Sequence, residues 1–130
     1  MIGEIDIAVV KAEVEAAFAE YERALTSNDV AALDDLFLRA ATTIRYGAAE
    51  NLYGYKEIAA FRAARSAAGL ARTLERTVIT TFGRDMAIAS TLFRRESAPG
   101  KIGRQMQTWV RTAGGWKVAA AHVSIIDEPG

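Results

Sequence analysis

The sequence predicts an α+β fold, with helices gathered in the first half and a meander of antiparallel strands in the second. Three observations carry this reading. Val14, Phe18, Tyr21 and Leu25 recur with a helical period. The C-terminal half holds four long segments rich in β-branched and apolar residues. The turn tripeptides Gly83-Arg84-Asp85, Ala98-Pro99-Gly100 and Ala113-Gly114-Gly115 separate them.

Each element follows in order. Residues 6–27 read as one long helix, with the Val14 to Leu25 stripe facing a core and most glutamates off it. Asn28 ends it and is placed to cap a second helix over 29–38, where Val30, Leu33 and Phe37 share a face. Residues 42–46 form a short strand. The chain then turns over 47–54, with a second short strand at Asn51–Tyr53. A third helix covers 55–68, with Gly69 placed at its C-terminal cap. Strands over 71–82, 85–97, 102–112 and 115–126 complete the chain. A sheet of that length, crossed by one long helix, curls around the helix.

Composition removes whole classes of function. A chain of 130 residues suits one domain. It contains no cysteine, which excludes a disulfide framework, a thiolate metal site and a thiol nucleophile. One histidine makes a transition-metal site improbable, and no metal or other cofactor is expected. Sixteen basic side chains balance sixteen acidic ones, which argues against generic nucleic-acid binding. No apolar run is long enough for a membrane span. The first residues lack a basic segment followed by an apolar core, so a cytoplasmic protein is expected. Nucleotide-binding glycine loops and the GxSxG elbow are absent.

Twelve of the sixteen cations are arginine, and 26 residues are alanine. A GC-rich genome gives that bias, and so does a protein that grips carboxylates with the guanidinium fork. Position decides between them. On helix three, Tyr55, Ile58, Arg62 and Arg65 share a face, and an inward arginine needs an anionic partner. Arg62 is the more surface-bound of the two. Arg45 alternates with Ile44 and Tyr46, so it faces inward if those two pack outward. Tyr21 lies on the apolar stripe, and its buried hydroxyl wants a partner.

The last two strands carry the remaining candidates. Simple alternation puts Trp116, Val118, Ala120, His122 and Ser124 on one face of the final strand. His122 is therefore the general acid–base candidate, with Ser124 beside it; the alternative is a hydrogen-bonded core histidine without chemistry. Gln105, Gln107 and Trp109 share one face of the preceding strand. That face is either a solvated exterior or a surface that reads an amide, urea or carboxylate.

The order of elements, with Gly114-Gly115-Trp116 in the last turn and Ala121-His122-Val123-Ser124 beyond it, resembles the nuclear-transport-factor-2-like, or cystatin-like, superfamily. A closer resemblance, over nearly the whole chain, is to the AtzH/HpxZ-like proteins. Arg45-Tyr46-Gly47, Glu50-Asn51-Leu52-Tyr53-Gly54, Phe61-Arg62-Ala63-Ala64-Arg65, Thr77-Val78-Ile79-Thr80-Thr81 and Gly103-Arg104-Gln105 carry it. The resemblance implies a cone-shaped curved sheet, mostly antiparallel, wrapped around three N-terminal helices, with a pocket inside the cone and a homodimer. Those proteins are associated with cyanuric-acid and oxalurate breakdown, which implies a small anionic ureido carboxylate as ligand. On that reading Arg45 or Arg65 grips the carboxylate, while Gln105, Gln107 and Tyr21 read amide edges. Trp109 supplies a flat wall, Tyr53 is counted with the binding residues, and His122 moves the proton. The expected chemistry is amide hydrolysis or decarboxylation without a cofactor; the alternative is a binding or accessory protein of the same pathway.

Overall fold

The computed structural model describes residues 3–129. Helix α1 (Ala8–Thr26) buries Val10, Val14, Phe18, Tyr21 and Leu25, the stripe its period predicts. Asn28 takes a left-handed φ of 51° and breaks the chain direction. The cap of α2 (Val30–Leu36) is Asp29, not Asn28: its carboxylate accepts from the Ala32 N–H at 3.1 Å. Asn28 cannot both make the left-handed turn and hold the extended geometry of a cap.

Two short strands, β1 (Ile44–Tyr46) and β2 (Asn51–Tyr53), form a hairpin that leads into α3 (Tyr55–Ala64). The third helix ends four residues before the predicted end. Arg65 is already extended, at φ −72° and ψ 141°. Its side chain leaves the helix face for the interior, and the Ser66 hydroxyl accepts from the Ala68 N–H to form a turn. Four long strands follow: β3 (Thr73–Phe82), β4 (Met86–Arg94), β5 (Lys101–Thr112) and β6 (Gly115–Asp127). They pair as consecutive antiparallel neighbours, and β1 joins the edge of β6 in parallel. The six-stranded sheet runs β2-β1-β6-β5-β4-β3, curved with its concave side on the helices.

Two irregularities shape the sheet. Arg76, with φ 52°, lies at a bulge between Glu75 and Val78. On β6, Thr108 pairs with Ala120 and Trp109 with Val118, so Ala119 is an extra residue opposite no partner. The core under the concave side contains Trp109, Val118, Phe37, Leu33 and Ile58, each almost fully buried.

Arg62 departs from the sequence reading. It is buried, forms an ion pair with Asp34 at 2.5 Å and lies 4.5 Å from the Phe37 ring centre. Its anionic partner is thus a carboxylate of the protein. Arg62→Leu is expected to cost about 2 kcal/mol, less than the full loss of a buried pair because Asp34 keeps some contact with water. Urea unfolding at neutral pH measures it, and an unchanged midpoint would show that the pair contributes nothing.

Candidate functional site

A cavity of about 230 Å³ lies between the helices and the concave side of the sheet. Tyr21 and Leu25 of α1 form one wall, and Phe61 of α3, with Arg65 just beyond it, forms another. Arg45 and Glu50 come from the β1–β2 hairpin, and Gln105, Val123 and Ile125 come from β5 and β6. Leu70, Arg72 and Arg95, from the segments flanking β3 and β4, complete it.

Four arginines therefore converge on one small space, and they differ in how they are neutralised. Arg45 pairs with Glu50 at 2.8 Å. Arg72 pairs with Glu22 through two hydrogen bonds, at 2.8 and 2.5 Å. Arg65 and Arg95 have no salt-bridge carboxylate among the described residues. Nε and Nη2 of Arg65 and Nε of Arg95 are buried without a hydrogen-bond partner from the protein. Burial lowers the pKa of both guanidinium groups below the ordinary arginine range. The like charge of Arg45 adds to this at Arg65, and that of Arg72 at Arg95. Arginine stays charged under such shifts, so the cavity holds uncompensated positive charge. A buried donor without an acceptor is costly, and an anion supplies the acceptor.

The other polar groups are also donors. Gln105 and Gln107 face the interior and are almost fully buried. The Gln105 Oε1 accepts from Arg72 at 3.1 Å, and the Gln107 Oε1 accepts from the Trp109 indole N–H at 3.1 Å. The NH₂ group of each amide has no partner among the described residues. Tyr21 supplies the one hydroxyl among the lining side chains, and its phenol bears electrostatically on both Arg65 and Arg95.

The structure thus brings Tyr21, Arg45, Arg65 and Gln105 together, and places Gln107 and Trp109 in the buried layer of β5. It does not bring the others there. His122 and Ser124 lie on the convex side. His122 is exposed, its ring edge-on to Tyr46 at 5.9 Å, and Ser124 accepts from Arg104 at 3.1 Å. The extra residue Ala119 causes this, because it reverses the side to which every later β6 residue points. Tyr53 is about half exposed on the outside, and its hydroxyl is 2.9 Å from that of Tyr46.

Sequence reasoning missed Arg72 and Arg95. Alternation held the signal for Arg95: Ala87, Ala89, Thr91 and Phe93 are all buried, and Arg95 is the next residue in that series. Arg72 precedes the inward Leu74 by two in the same way.

The AtzH-like family pattern matches residues 3–129. Among solved structures, one of unknown function from the DUF3225 family of Pectobacterium atrosepticum is 59% identical, with 95% of each chain covered and a TM-score of 0.92. A cystatin-like fold protein from Burkholderia xenovorans is 48% identical, with 97% of this chain and 98% of that one covered and a TM-score of 0.93. An NTF2-like protein of unknown function from Pseudomonas putida is 17% identical over 89% of this chain and 86% of that one, at a TM-score of 0.74, and shares the fold. No curated protein matches. No helix among the described residues is long and apolar enough to cross a membrane. With its whole described length matched, the chain belongs to the AtzH-like family and carries the cystatin-like, NTF2-like fold.

Proposed function

We propose that the cavity binds a small ureido carboxylate, of the oxalurate or carboxylated-urea type, and removes the nitrogen-bound carboxyl group of a carboxylated urea. The observation that carries this is the pair of half-buried guanidinium groups, Arg65 and Arg95, that face one cavity with buried, unpartnered N–H donors and no carboxylate of their own among the described residues. A carboxylate on the ligand would satisfy both the charge and the hydrogen bonds.

Of the two reactions expected of such a ligand, decarboxylation asks less of these residues. Hydrolysis needs a free base to activate water. Glu22 and Glu50 are both held in ion pairs, and His122 lies on the other side of the sheet. In a carboxylated urea the N–CO₂ bond breaks and its electron pair stays on nitrogen. The nitrogen takes the proton of the Tyr21 hydroxyl, CO₂ leaves, and water returns a proton to the phenolate, its hydroxide ending with the released CO₂ as bicarbonate. Arg65 and Arg95 stabilise that phenolate, and the apolar surface of Leu70, Val123 and Ile125 receives the neutral CO₂.

Carbon-13-labelled dicarboxyurea and oxalurate, followed by NMR, test this. Turnover of dicarboxyurea, with oxalurate bound and not consumed, is expected with the unmutated protein and, within a factor of about three, with His122→Ala. Tyr21→Phe is expected to slow it about 100-fold. Broadened ligand signals without product would instead establish a binding protein. Loss of turnover in His122→Ala alone would return the proton transfer to the convex side.

We also propose that a second copy covers that convex side. Ile44, Tyr46, Ile88, Met106 and Ala120 line a largely apolar groove together with His122, and Met106 is 54% exposed. Sedimentation equilibrium is expected to give a dimer for the unmutated chain and a monomer for Met106→Asp. A monomeric unmutated chain would remove this assignment.

A further inference from the structure

The amide of Gln105 has two orientations that differ only in which end carries oxygen, and its neighbours choose between them. Arg72 has donors and no acceptor, so the Gln105 group that meets it at 3.1 Å is oxygen. The NH₂ end is buried, lacks a protein partner and belongs to a side chain that lines the cavity. Arg72 is itself fixed. Glu22 on α1 takes two of its hydrogen bonds, the Phe93 ring lies 4.6 Å from its guanidinium carbon, and only 1% of its side chain is exposed.

We propose that Arg72 is a positioning residue: held by Glu22, it locks the Gln105 amide so that its NH₂ group donates to an oxygen of the bound anion. The inference rests on the anion-binding reading of the cavity and gives it a direction. Gln105 reads an oxygen of the ligand and not an N–H, which reverses part of the role that glutamine chemistry alone allows. Gln107 is oriented in the same sense by the Trp109 indole, which also only donates. At the cavity it is Gln105 that presents a donor, and the ligand atom that meets it is a carboxylate or carbonyl oxygen.

Malonate serves as the probe, because its carboxylate oxygens accept and do not donate at neutral pH. Calorimetric titration into the full chain is expected to show Gln105→Leu weakening malonate about tenfold, the loss of one charge-assisted hydrogen bond. Gln105→Glu, nearly the same shape, turns the donor into an oxygen and weakens it further. Arg72→Lys still donates to the Gln105 oxygen and stays within about threefold of the unmutated chain.

The double-mutant cycle separates positioning from charge. With Glu22→Gln in every arm, so that no unpaired carboxylate is left beside the cavity, Arg72→Leu combined with Gln105→Leu binds no more weakly than Gln105→Leu alone if Arg72 acts through Gln105. Additive losses would show that Arg72 contributes only its charge, and would overturn the proposal. A second readout is the Gln105 side-chain NH₂ signal in a nitrogen-15 correlation spectrum. It is expected to move on addition of malonate; a stationary signal overturns the donor role. Should Arg72→Leu fail to fold, Arg72→Lys, Gln105→Glu and the NH₂ signal still decide. Malonate that fails to bind the unmutated chain overturns this proposal together with the cavity reading. Malonate that binds while no ureido carboxylate is turned over leaves the Arg72 assignment standing and removes the catalytic one.

Discussion

Arg65→Gln is expected to make the protein more stable and to disable it. In the folded chain the Arg65 guanidinium is partly desolvated, repelled by Arg45 and short of acceptors at Nε and Nη2. A neutral amide in its place relieves that cost. A gain of about 1 kcal/mol follows from the usual penalty for a buried unsatisfied group. That corresponds to a rise of roughly 3 °C in melting temperature for a domain of this size. The same substitution removes one of the two cavity charges that no carboxylate among the described residues neutralises. Turnover of a ureido carboxylate, as kcat/KM, is expected to fall by about three orders of magnitude, equivalent to some 4 kcal/mol of charge-assisted contact at the transition state. Differential scanning calorimetry and labelled-substrate NMR on the same preparation measure both. The opposite signs are the diagnostic. A structural arginine would lose stability and activity together, and a melting temperature that falls would place Arg65 in the scaffold. Stability given up at a binding site is a general pattern, and an arginine without a partner is a local form of it.

How much of this was legible in the sequence depends on the range of the interaction. The helices were legible because their signal is local. The stripe from Val14 to Leu25 depends only on helical spacing, and all four residues are buried. The four long strands were legible because glycine, proline and aspartate mark the turns between them. Arg45 was legible as well: Ile44 and Tyr46 do line the convex groove, and Arg45 does line the cavity. The side on which His122 sits was not. Alternation counted from Trp116 is correct as far as Val118, and Ala119 then breaks it. Nothing in the run Val118-Ala119-Ala120-Ala121 distinguishes the extra residue, because three small alanines fit either side. The bulge is fixed by the pairing with β5, a long-range contact. The same holds for Gln105. Its inward direction followed from alternation, whereas its amide orientation depends on Arg72, 33 residues earlier in the chain, and on Glu22, 50 residues before Arg72.

Gly103 connects the sheet to that arrangement, and Gly103→Ala is expected to damage both. Gly103 pairs with Phe93 across β4 and β5, and the Phe93 ring lies over the bare glycine. A Cβ at residue 103 would stand 2.0 Å from Cζ of that ring, 2.2 Å from Cε2 and 2.3 Å from Cε1. Carbon atoms in contact want about 3.5 Å or more, so the ring has to move by more than an ångström. It cannot do so freely. Phe93 is 2% exposed, and the guanidinium groups of Arg72 and Arg95 lie against it at 4.6 and 4.7 Å from the ring centre. Overpacking of a filled site typically costs 1–3 kcal/mol, and a buried ring in contact with two guanidinium groups belongs near about 3 kcal/mol. Moving the ring also moves two of the four cavity arginines, so malonate affinity is expected to fall about tenfold in the variant that still folds. Denaturant unfolding and calorimetry measure the two losses. Adding Phe93→Leu to Gly103→Ala removes the clash but also the surface on which the arginines rest. Most of the stability should then return while the affinity does not, a non-additive outcome expected only of groups in direct contact. Recovery of both would show that Phe93 merely fills space. Recovery of neither would place the strain in the backbone at residue 103, which has no left-handed φ to account for it.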